Sequence, residues 1–477
     1  MYQITRLLTG FIIFATFSFS SGYSSAGVTR VVVKSSDPMG AFEGRQYLRV
    51  TATMEGTVDR GGDKTGKYRV PVVLIYPNRN SNGFGFVDVI NSAAFAAYKE
   101  GEAPGGKRSL LYLGDLILSD YLKREGFTYI AVQWARMVTY DLGPDYGVIE
   151  DGRDGFQIIK DAARFLSDPG MLEGTVPFRP APVGRMIGFG QSQTAMLLRE
   201  MVRSGKNRDV DGSLIFDGVL VGVGGSRCLI LNNNETPRPA PGPTNPTFFR
   251  GAVCAEPLPE DGKVISILTQ TEVGSARYKG HTSRHQTGSY RQYELAGVAH
   301  IPADIVDLRQ LGAPEQNPAS FRPVFKAMLS NLVDWIASGK APPDSRYIAG
   351  EVDRDGQFRP ATDADGNVKG GVRLPHMATV LPSGEHAGAP LGVYGGINPA
   401  HLKPINRFAL NGGIFKPFSA EKLAARYPNN DGYVELVRNS AAALLADRFI
   451  LKEDYDAYIQ AAQNRKIGAR AEPSGRM

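Results

Sequence analysis

The stretch GRMIGFGQSQTAMLLREMVR, residues 184–203, places a serine directly between an apolar run and an amphipathic run. Residues 184–189 are apolar or small apart from one arginine and predict a buried strand, whereas residues 195–203 have the pattern of a helix. Ser192 lies between the two in the pentapeptide GQSQT, with no linker on either side. This order predicts a tight strand–turn–helix junction with the serine at the turn.

A serine on such a junction can act as a nucleophile when small residues stand two positions before and after it. The backbones of the strand and the helix pass closely there, so large side chains are excluded. Gly190 meets this requirement fully and Thr194 only in part. We expect Ser192 to be a nucleophile, and a serine in an ordinary strand–helix turn is the alternative.

The rest of the chain alternates between strand-like and helical runs. Strand-like runs lie at 47–54, 68–76, 84–90, 127–134, 184–189, 218–223, 264–268 and 290–295, and helical runs at 110–125, 155–166, 195–203 and 324–336. Several strand-like runs are apolar on both faces, which favours a mostly parallel sheet with helices on both sides. We therefore predict an α/β fold with a central sheet of about eight strands, and the serine junction specifies the α/β-hydrolase fold.

Serine is a weak nucleophile at neutral pH and needs a histidine base, which a carboxylate must orient. In this fold the chain order is serine, acid, histidine. Of the six histidines, His300 follows the last predicted strand in AGVAHIP, residues 296–302, where the fold places its base. His285 is the second candidate for the base, and like His281 it could line the substrate pocket or be solvated.

The acid should follow another strand. The strand at 218–223 ends in Gly-Gly-Ser without a carboxylate, whereas the strand at 264–268 runs into TQTE, which ends at Glu272. Glu272 precedes His300 by 28 positions, in the expected order. A surface role for Glu272, with Asp304 or Asp307 as the acid, is the alternative.

The oxyanion of an acyl-transfer transition state needs fixed hydrogen-bond donors, each contributing about 3 kcal/mol. One donor in this fold is the backbone N–H of the residue after the nucleophile, which is Gln193. The other comes from the loop after an early strand, which points to Asn91 or Ser92 after the run at 84–90.

The N-terminus has the layout of a secretory signal peptide over residues 1–26. Arg6 precedes an apolar run at 7–19, and small residues ending in Ser24-Ser25-Ala26 follow. Such a run is short for a transmembrane helix, so we expect cleavage after Ala26 and export to the periplasm or the medium. An uncleaved membrane anchor is the alternative.

Export makes Cys228 and Cys254 candidates for one disulfide, with two unpaired thiols as the alternative. The cysteines bracket a proline-rich insertion, 227–262, in which seven prolines fall between Pro237 and Pro259. We interpret this insertion as a lid held by other parts of the protein. Residues 345–477 are interpreted as an extension packed on a single domain that spans 27–477.

Composition limits the classes of partner. Apolar residues make up 42% of the chain and charged residues 21%, and the formal net charge of +6 is spread over mixed-sign sequence. Without a lysine or arginine run, we expect no nucleic-acid partner and no stable membrane insertion after signal cleavage. Two cysteines without a supporting cluster do not make a metal site, and we expect no metal and no organic cofactor. Oligomeric state is left open.

Four motifs carry a resemblance to a known family. They are YELAGVAHIP at 293–302, LVDWIASGKAPP at 332–343, DADGNVKGGVRLP at 363–375 and LLADRFILKEDYDAYIQAA at 444–462. With them the chain resembles the bacterial alpha/beta hydrolase domain proteins, whose serine junction reads G-x-S-Q-S-G. The resemblance covers nearly all of the chain after residue 26 and implies serine hydrolase chemistry on carboxylic esters. It also implies that the tail belongs to the hydrolase unit.

The sequence departs from this family pattern at the junction itself. The family's first serine corresponds to Gly190, its glycine to Gln193, and the arginine that commonly follows to Thr194. Ser192 is therefore the serine that can act. We expect an exported esterase that works through Ser192, Glu272, His300 and an acyl-enzyme on a small ester. The alternatives are a peptidase or acyltransferase on the same fold, and a non-catalytic binding protein.

Overall fold

The computed structural model describes most of the chain. The described residues are 27–60, 64–90, 113–118, 120–134, 148–149, 154–229, 254, 262–276, 278–309, 312–397, 407–465 and 467. The predicted signal peptide, the two donor candidates Asn91 and Ser92, and most of the predicted lid lie outside them.

The chain begins with three long antiparallel strands, β1 (Gly27–Phe42), β2 (Arg45–Asp59) and β3 (Thr65–Pro77). In β2 every second side chain from Leu48 to Val58 is buried, as its alternating sequence predicts. The sequence did not predict β1, because Val31 is its one fully buried side chain and the strand has no apolar face to show a pattern.

Six parallel strands form the centre of the sheet. They are β4 (Phe84–Val89), β5 (Thr128–Val132), β8 (Arg185–Gln191), β9 (Gly218–Gly222), β10 (Lys263–Thr269) and β11 (Tyr290–Leu295). With the short strands β6 (Val148–Ile149) and β7 (Leu172–Glu173), the described residues form one eleven-stranded sheet. Its order is β11-β10-β9-β8-β4-β5-β3-β2-β1-β7, and β6 pairs with β3. The predicted count of about eight was low because it omitted β1 and these two-residue strands.

Helices cover both faces of the sheet. On one face lie α3 (Gly155–Ser167) and α4 (Gln193–Arg203), and on the other α1 (Leu113–Leu118), α2 (Tyr121–Arg124) and α6 (Arg322–Ser338). Successive residues of β4 enter opposite cores: Phe86 packs toward α1 and α6, whereas Val87 packs toward α3 and α4. The central strands are therefore buried on both sides, and the predicted α/β-hydrolase fold is confirmed.

The described residues of the C-terminal extension, 345–477, form three two-stranded antiparallel sheets and three helices. The strands are β12 (Gly350–Val352), β13 (Phe358–Pro360), β14 (Thr379–Val380), β15 (His386–Ala387), β16 (Gly392–Gly395) and β17 (Ile414–Pro417), and the helices α7 (Ala420–Arg426), α8 (Asn430–Ala446) and α9 (Lys452–Asn464). Tyr394, Leu444 and Phe449 of the extension share one apolar core with the sheet. A single domain over 27–477 stays a prediction, which this shared core favours.

A disulfide joins Cys228 to Cys254, with their Cα atoms 5.7 Å apart, so that prediction is confirmed. Both cysteines are buried, and the bond joins two points within the predicted lid, 227–262, beside α4, where Leu229 N–H donates to Met196 O and Arg199 donates to Cys254 O. None of the helices in the described part of the chain is long and apolar enough to cross a membrane.

Candidate active site

Ser192 lies on the turn between β8 and α4, as the sequence predicts. Its backbone has φ 56° and ψ −109°, a conformation that residues with a Cβ rarely adopt. Its N–H donates to Gly222 O of the neighbouring strand β9 at 2.8 Å, which fixes the turn against the sheet. Ser192 is half-buried, whereas its neighbours Gln191 and Gln193 are buried. Backbone strain of this kind is typical of a nucleophile elbow, in which a sharp strand–helix turn exposes the serine Oγ at the end of the sheet.

Two neighbours close the turn. A Cβ on Gly190 would lie 2.6 Å from the backbone carbon of Thr194, so only glycine fits there. The Thr194 hydroxyl accepts a hydrogen bond from Gln191 N–H at 2.9 Å and donates to Gln191 O at 3.1 Å. Thr194, an imperfect fit by size, thus holds the turn together with its hydroxyl.

Glu272 and His300 form a buried hydrogen-bonded pair. Glu272 Oε1 lies 2.6 Å from His300 Nδ1, and the two side chains are 0% and 6% exposed. Glu272 Oε2 accepts hydrogen bonds from the N–H and the hydroxyl of Thr269, both at 2.7 Å. A carboxylate oxygen only accepts hydrogen bonds, so the hydrogen bond between these atoms is donated by Nδ1–H, and the lone pair of the ring is then on Nε2 of His300.

Local sequence explains the position of the carboxylate. Thr269 ends β10 and is the N-cap of the short helix α5 (Gln270–Gly274), in which Glu272 is the third residue. A glutamate at that position reaches back to the N-cap N–H, as in a capping box. This contact directs Glu272 toward the next strand, β11, after which His300 follows.

The three side chains belong to one edge of the sheet. Strands β8, β9, β10 and β11 are neighbours and parallel, so their carboxyl ends lie together. Ser192 follows β8, Glu272 follows β10 and His300 follows β11. Ligands of open α/β sheets bind at this edge.

Residues between the strands link the serine turn to the histidine. Gly224, after β9, passes so close to the turn that a Cβ would lie 3.3 Å from Ser192 O. Ser226 N–H then donates to Tyr278 O at 3.1 Å, and the Tyr278 ring stacks on His300 with centroids 5.5 Å apart. A continuous set of contacts therefore connects the serine turn and His300.

The structure gives the remaining candidates partners other than His300. His285 stacks on Tyr290 at the amino end of β11, a strand length of roughly 16 Å from its carboxyl end. Asp304 pairs with Arg322, and Asp307 with Arg309, so neither of these partners is the histidine.

Gln193 is the first residue of α4 and is buried, so its N–H lies at the positive end of the helix dipole beside Ser192. Strand β4, which precedes Asn91 and Ser92, pairs directly with β8. In the described part of the chain no group of three or more histidine, cysteine or acidic side chains could hold a metal ion.

Sequence reasoning missed two residues that contact His300 and one buried carboxylate in the sheet. Thr271 and Tyr278 contact His300, and nothing in their sequence context distinguishes them from other polar and aromatic residues. Asp88 is buried in β4 and accepts hydrogen bonds from Tyr129 Oη and Gly114 N–H, both at 2.7 Å. Burial raises the pKa of Asp88 to about 7. A carboxylate inside the apolar run FGFVDV was the one available signal for Asp88.

Three solved structures illustrate the proteins that this chain resembles. LipA, a rice cell wall degrading esterase from Xanthomonas oryzae, is 11% identical with a TM-score of 0.24, over 41% of this chain and 49% of LipA. Brefeldin A esterase, a bacterial homologue of human hormone sensitive lipase, is 12% identical with a TM-score of 0.30, over 64% and 78%. A glucuronoyl esterase from Teredinibacter turnerae is 10% identical with a TM-score of 0.24, over 42% and 47%.

The chain thus spans about half the length of LipA. No curated protein sequence matches it significantly. The family model described as "Alpha/beta hydrolase domain" matches residues 118–460, which is well over half of the chain and includes β5, the serine turn, α5, β11 and most of the extension. The chain therefore belongs to the alpha/beta hydrolase domain family.

Proposed function

We propose that this protein is an exported serine hydrolase that cleaves carboxylic esters through Ser192, His300 and Glu272. The observation that carries the proposal is the buried Glu272–His300 pair at the sheet edge that Ser192 also occupies. Membership of the alpha/beta hydrolase domain family supports hydrolase chemistry in general.

In the first half of the reaction, His300 Nε2 accepts the proton of Ser192 Oγ while Oγ attacks the ester carbonyl carbon. Glu272 holds the ring and stabilises the imidazolium that forms. Gln193 N–H donates to the oxyanion, and a second donor comes from Asn91 or Ser92. The carbon–oxygen bond to the alcohol then breaks, and His300 returns its proton to the leaving alkoxide oxygen.

In the second half, water attacks the acyl-enzyme. His300 takes a proton from the water, and a second tetrahedral oxyanion forms that the same hydrogen-bond donors stabilise. The bond between the acyl carbon and Ser192 Oγ then breaks as His300 protonates Oγ. The products are the carboxylic acid and the free serine, and the cycle requires no cofactor.

Export is part of the proposal. A signal peptide over residues 1–26 accounts for the apolar N-terminus, and the disulfide between Cys228 and Cys254 is of the kind that persists in oxidising compartments. N-terminal sequencing of protein from the periplasm or medium should find Gly27 as the first residue. Protein that remains in the membrane fraction with Met1 intact would contradict export.

A substrate panel tests the activity. Purified protein is assayed with p-nitrophenyl esters of increasing acyl length and with peptide p-nitroanilides, beside the Ser192→Ala variant. We expect ester hydrolysis that depends on Ser192 and little amide hydrolysis. Preferential cleavage of the anilides would indicate a peptidase. Faster consumption of the ester when an alcohol is added as the acyl acceptor than in water alone would indicate an acyltransferase. Equal background rates in both proteins would indicate a binding protein.

A further inference from the structure

The loop that carries His300 is bound on its outer side by the C-terminal extension. Ile301 N–H donates to Asn411 O at 3.0 Å, directly beside the base. A Cβ on Gly413 would lie 2.7 Å from the Cβ of Ala299, on the other side of His300. Segment 411–413 of the extension is therefore in direct contact with the residues that flank the base.

A buried asparagine joins the same loop to a second part of the extension. Asn317, which is 0% exposed, donates from Nδ2 to Gly297 O at 3.1 Å and to Gly395 O at 3.0 Å. Gly297 begins the turn toward His300, and Gly395 ends β16. The amide group of Asn317 thus bonds to both the loop that carries His300 (the base loop, residues 296–302) and strand β16, and it fixes their relative position.

Thr271 makes the most direct connection. His300 N–H donates to Thr271 Oγ1 at 2.9 Å, and the same hydroxyl donates to Gly396 O. A hydroxyl has one proton and accepts with its lone pairs, so it can serve both groups at once. Thr271 immediately precedes Glu272, and a Cβ on Gly396 would lie 2.7 Å from Thr271 N, so the extension packs tightly on this helix as well.

From these contacts we propose that Thr271 is a positioning residue for His300. Its hydroxyl holds the backbone of His300 in place by bonding to His300 N–H and to the carbonyl of Gly396 in the extension. The Glu272–His300 hydrogen bond fixes the ring at Nδ1, and the Thr271 hydroxyl fixes the backbone of the same residue. The extension then packs on the outer side of the loop that carries His300 and restrains it. This inference rests on the proposed function, in which His300 Nε2 must meet Ser192 Oγ.

Position matters here because a misplacement of about 1 Å can lower a rate about 100-fold. In Thr271→Val the hydroxyl is lost while the shape is kept, so His300 N–H and Gly396 O both lose their partner. We expect kcat for p-nitrophenyl butyrate to fall about 10- to 100-fold with KM unchanged, because Thr271 is buried and its hydroxyl is already bonded to His300 and Gly396. Thr271→Ser keeps the hydroxyl and should restore most of kcat.

Asn331→Ala is the matched control. Asn331 is also buried and also binds the extension, through Arg448 O at 2.9 Å, but it lies on α6 away from the base. The control should lose stability like Thr271→Val and keep the wild-type kcat. Asn317→Ala is a second probe of the base loop, in case Thr271→Val fails to fold, and it should lower kcat.

A spectroscopic measurement separates this inference from the proposed function. The His300 Nδ1–H proton, bonded to Glu272, gives a far-downfield NMR resonance that does not depend on turnover. We expect it to broaden or shift in Thr271→Val and in Asn317→Ala, and to return in Thr271→Ser. An inactive wild-type protein in which these changes still occur would contradict the esterase proposal alone. An unchanged resonance in Thr271→Val, an unchanged kcat, or an equal loss of kcat in Asn331→Ala would overturn the positioning role.

Discussion

Glu272 Oε1 lies 2.6 Å from His300 Nδ1, and the carboxylate is entirely shielded from solvent. Such a pair has a direct consequence for Glu272→Gln. The amide oxygen can still accept the hydrogen bonds from Thr269, but the amide nitrogen then faces Nδ1 as a donor, and a neutral amide does not stabilise a positive imidazolium. We expect kcat/KM for ester hydrolysis to fall about 10³- to 10⁴-fold, with the fold retained. Steady-state kinetics with p-nitrophenyl butyrate measure the change.

Asp161→Asn is the control for Glu272→Gln. Asp161 is equally buried and hydrogen-bonded, to Tyr68 Oη at 2.7 Å, but it lies on α3 away from the sheet edge. Its variant should keep the wild-type kcat/KM. A Glu272→Gln variant within about tenfold of wild type would exclude Glu272 as the orienting acid.

Gly190→Ala tests the geometry of the serine turn. The added Cβ would lie 2.6 Å from the Thr194 backbone, so the turn must open. We expect the free energy of unfolding to fall by about 1–3 kcal/mol and Ser192 to lose reactivity toward an ester. Gly184→Ala, one position before the same strand, meets nothing within 4 Å and should change neither property. Urea denaturation and ester kinetics on both variants decide the matter, and equal behaviour would argue against a constrained turn.

The disulfide should increase the free energy of unfolding, and a reductant should remove this increase. Cys228 and Cys254 are 26 positions apart, and closing a loop of that size lowers the entropy of the unfolded chain. We expect the double serine variant to lose about 3 kcal/mol of unfolding free energy in urea. Dithiothreitol should lower the stability of the wild type toward that of the variant and leave the variant unchanged. A variant as stable as oxidised wild type would contradict this account.

Asp88 should make stability depend on pH. Burial raises its pKa from 3.8 to about 7, so the folded protein keeps this proton to higher pH than the unfolded chain does. The Asp88 contribution is therefore most favourable below about pH 4, is lost as pH rises toward 7, and is constant above that. Asp88→Asn retains an oxygen acceptor for Tyr129 and Gly114 and has no charge to bury.

The variant's stability relative to wild type should therefore increase between about pH 4 and pH 7, by at most about 4 kcal/mol. Urea denaturation of both proteins at about pH 5 and about pH 8 measures this difference. A constant difference between the variant and wild type across these pH values would show that Asp88 titrates normally.

The sequence predicted the parts of the site that have local signals. Ser192 is preceded by an apolar strand and followed by a helix. Glu272 comes shortly after the apolar strand β10 and His300 shortly after β11, so one sheet edge could be inferred. The Cys228–Cys254 bond followed from an even cysteine count and a predicted export signal. These inferences needed only short-range patterns and the known order of residues in the fold.

The missed features depend on long-range contacts. Thr271 bonds to Gly396, which lies more than a hundred positions away, and no periodicity reports such a contact. The role of Thr194 was undervalued because size was considered and its hydroxyl was not. β1 was missed because Val31 is its one fully buried side chain, so no continuous apolar face marks the strand. His285 was considered for the pocket because sequence distance from His300 does not show that the two residues lie at opposite ends of β11.

The central claim is that Ser192 is the nucleophile, and a fluorophosphonate probe tests it most directly. The wild-type protein and Ser192→Ala are incubated with the probe, and the labelled peptide is identified by mass spectrometry. The account predicts a single adduct on Ser192 in the wild type, no adduct in Ser192→Ala, and much slower labelling in Glu272→Gln. No labelling of folded wild-type protein, or labelling that persists in Ser192→Ala, would contradict it.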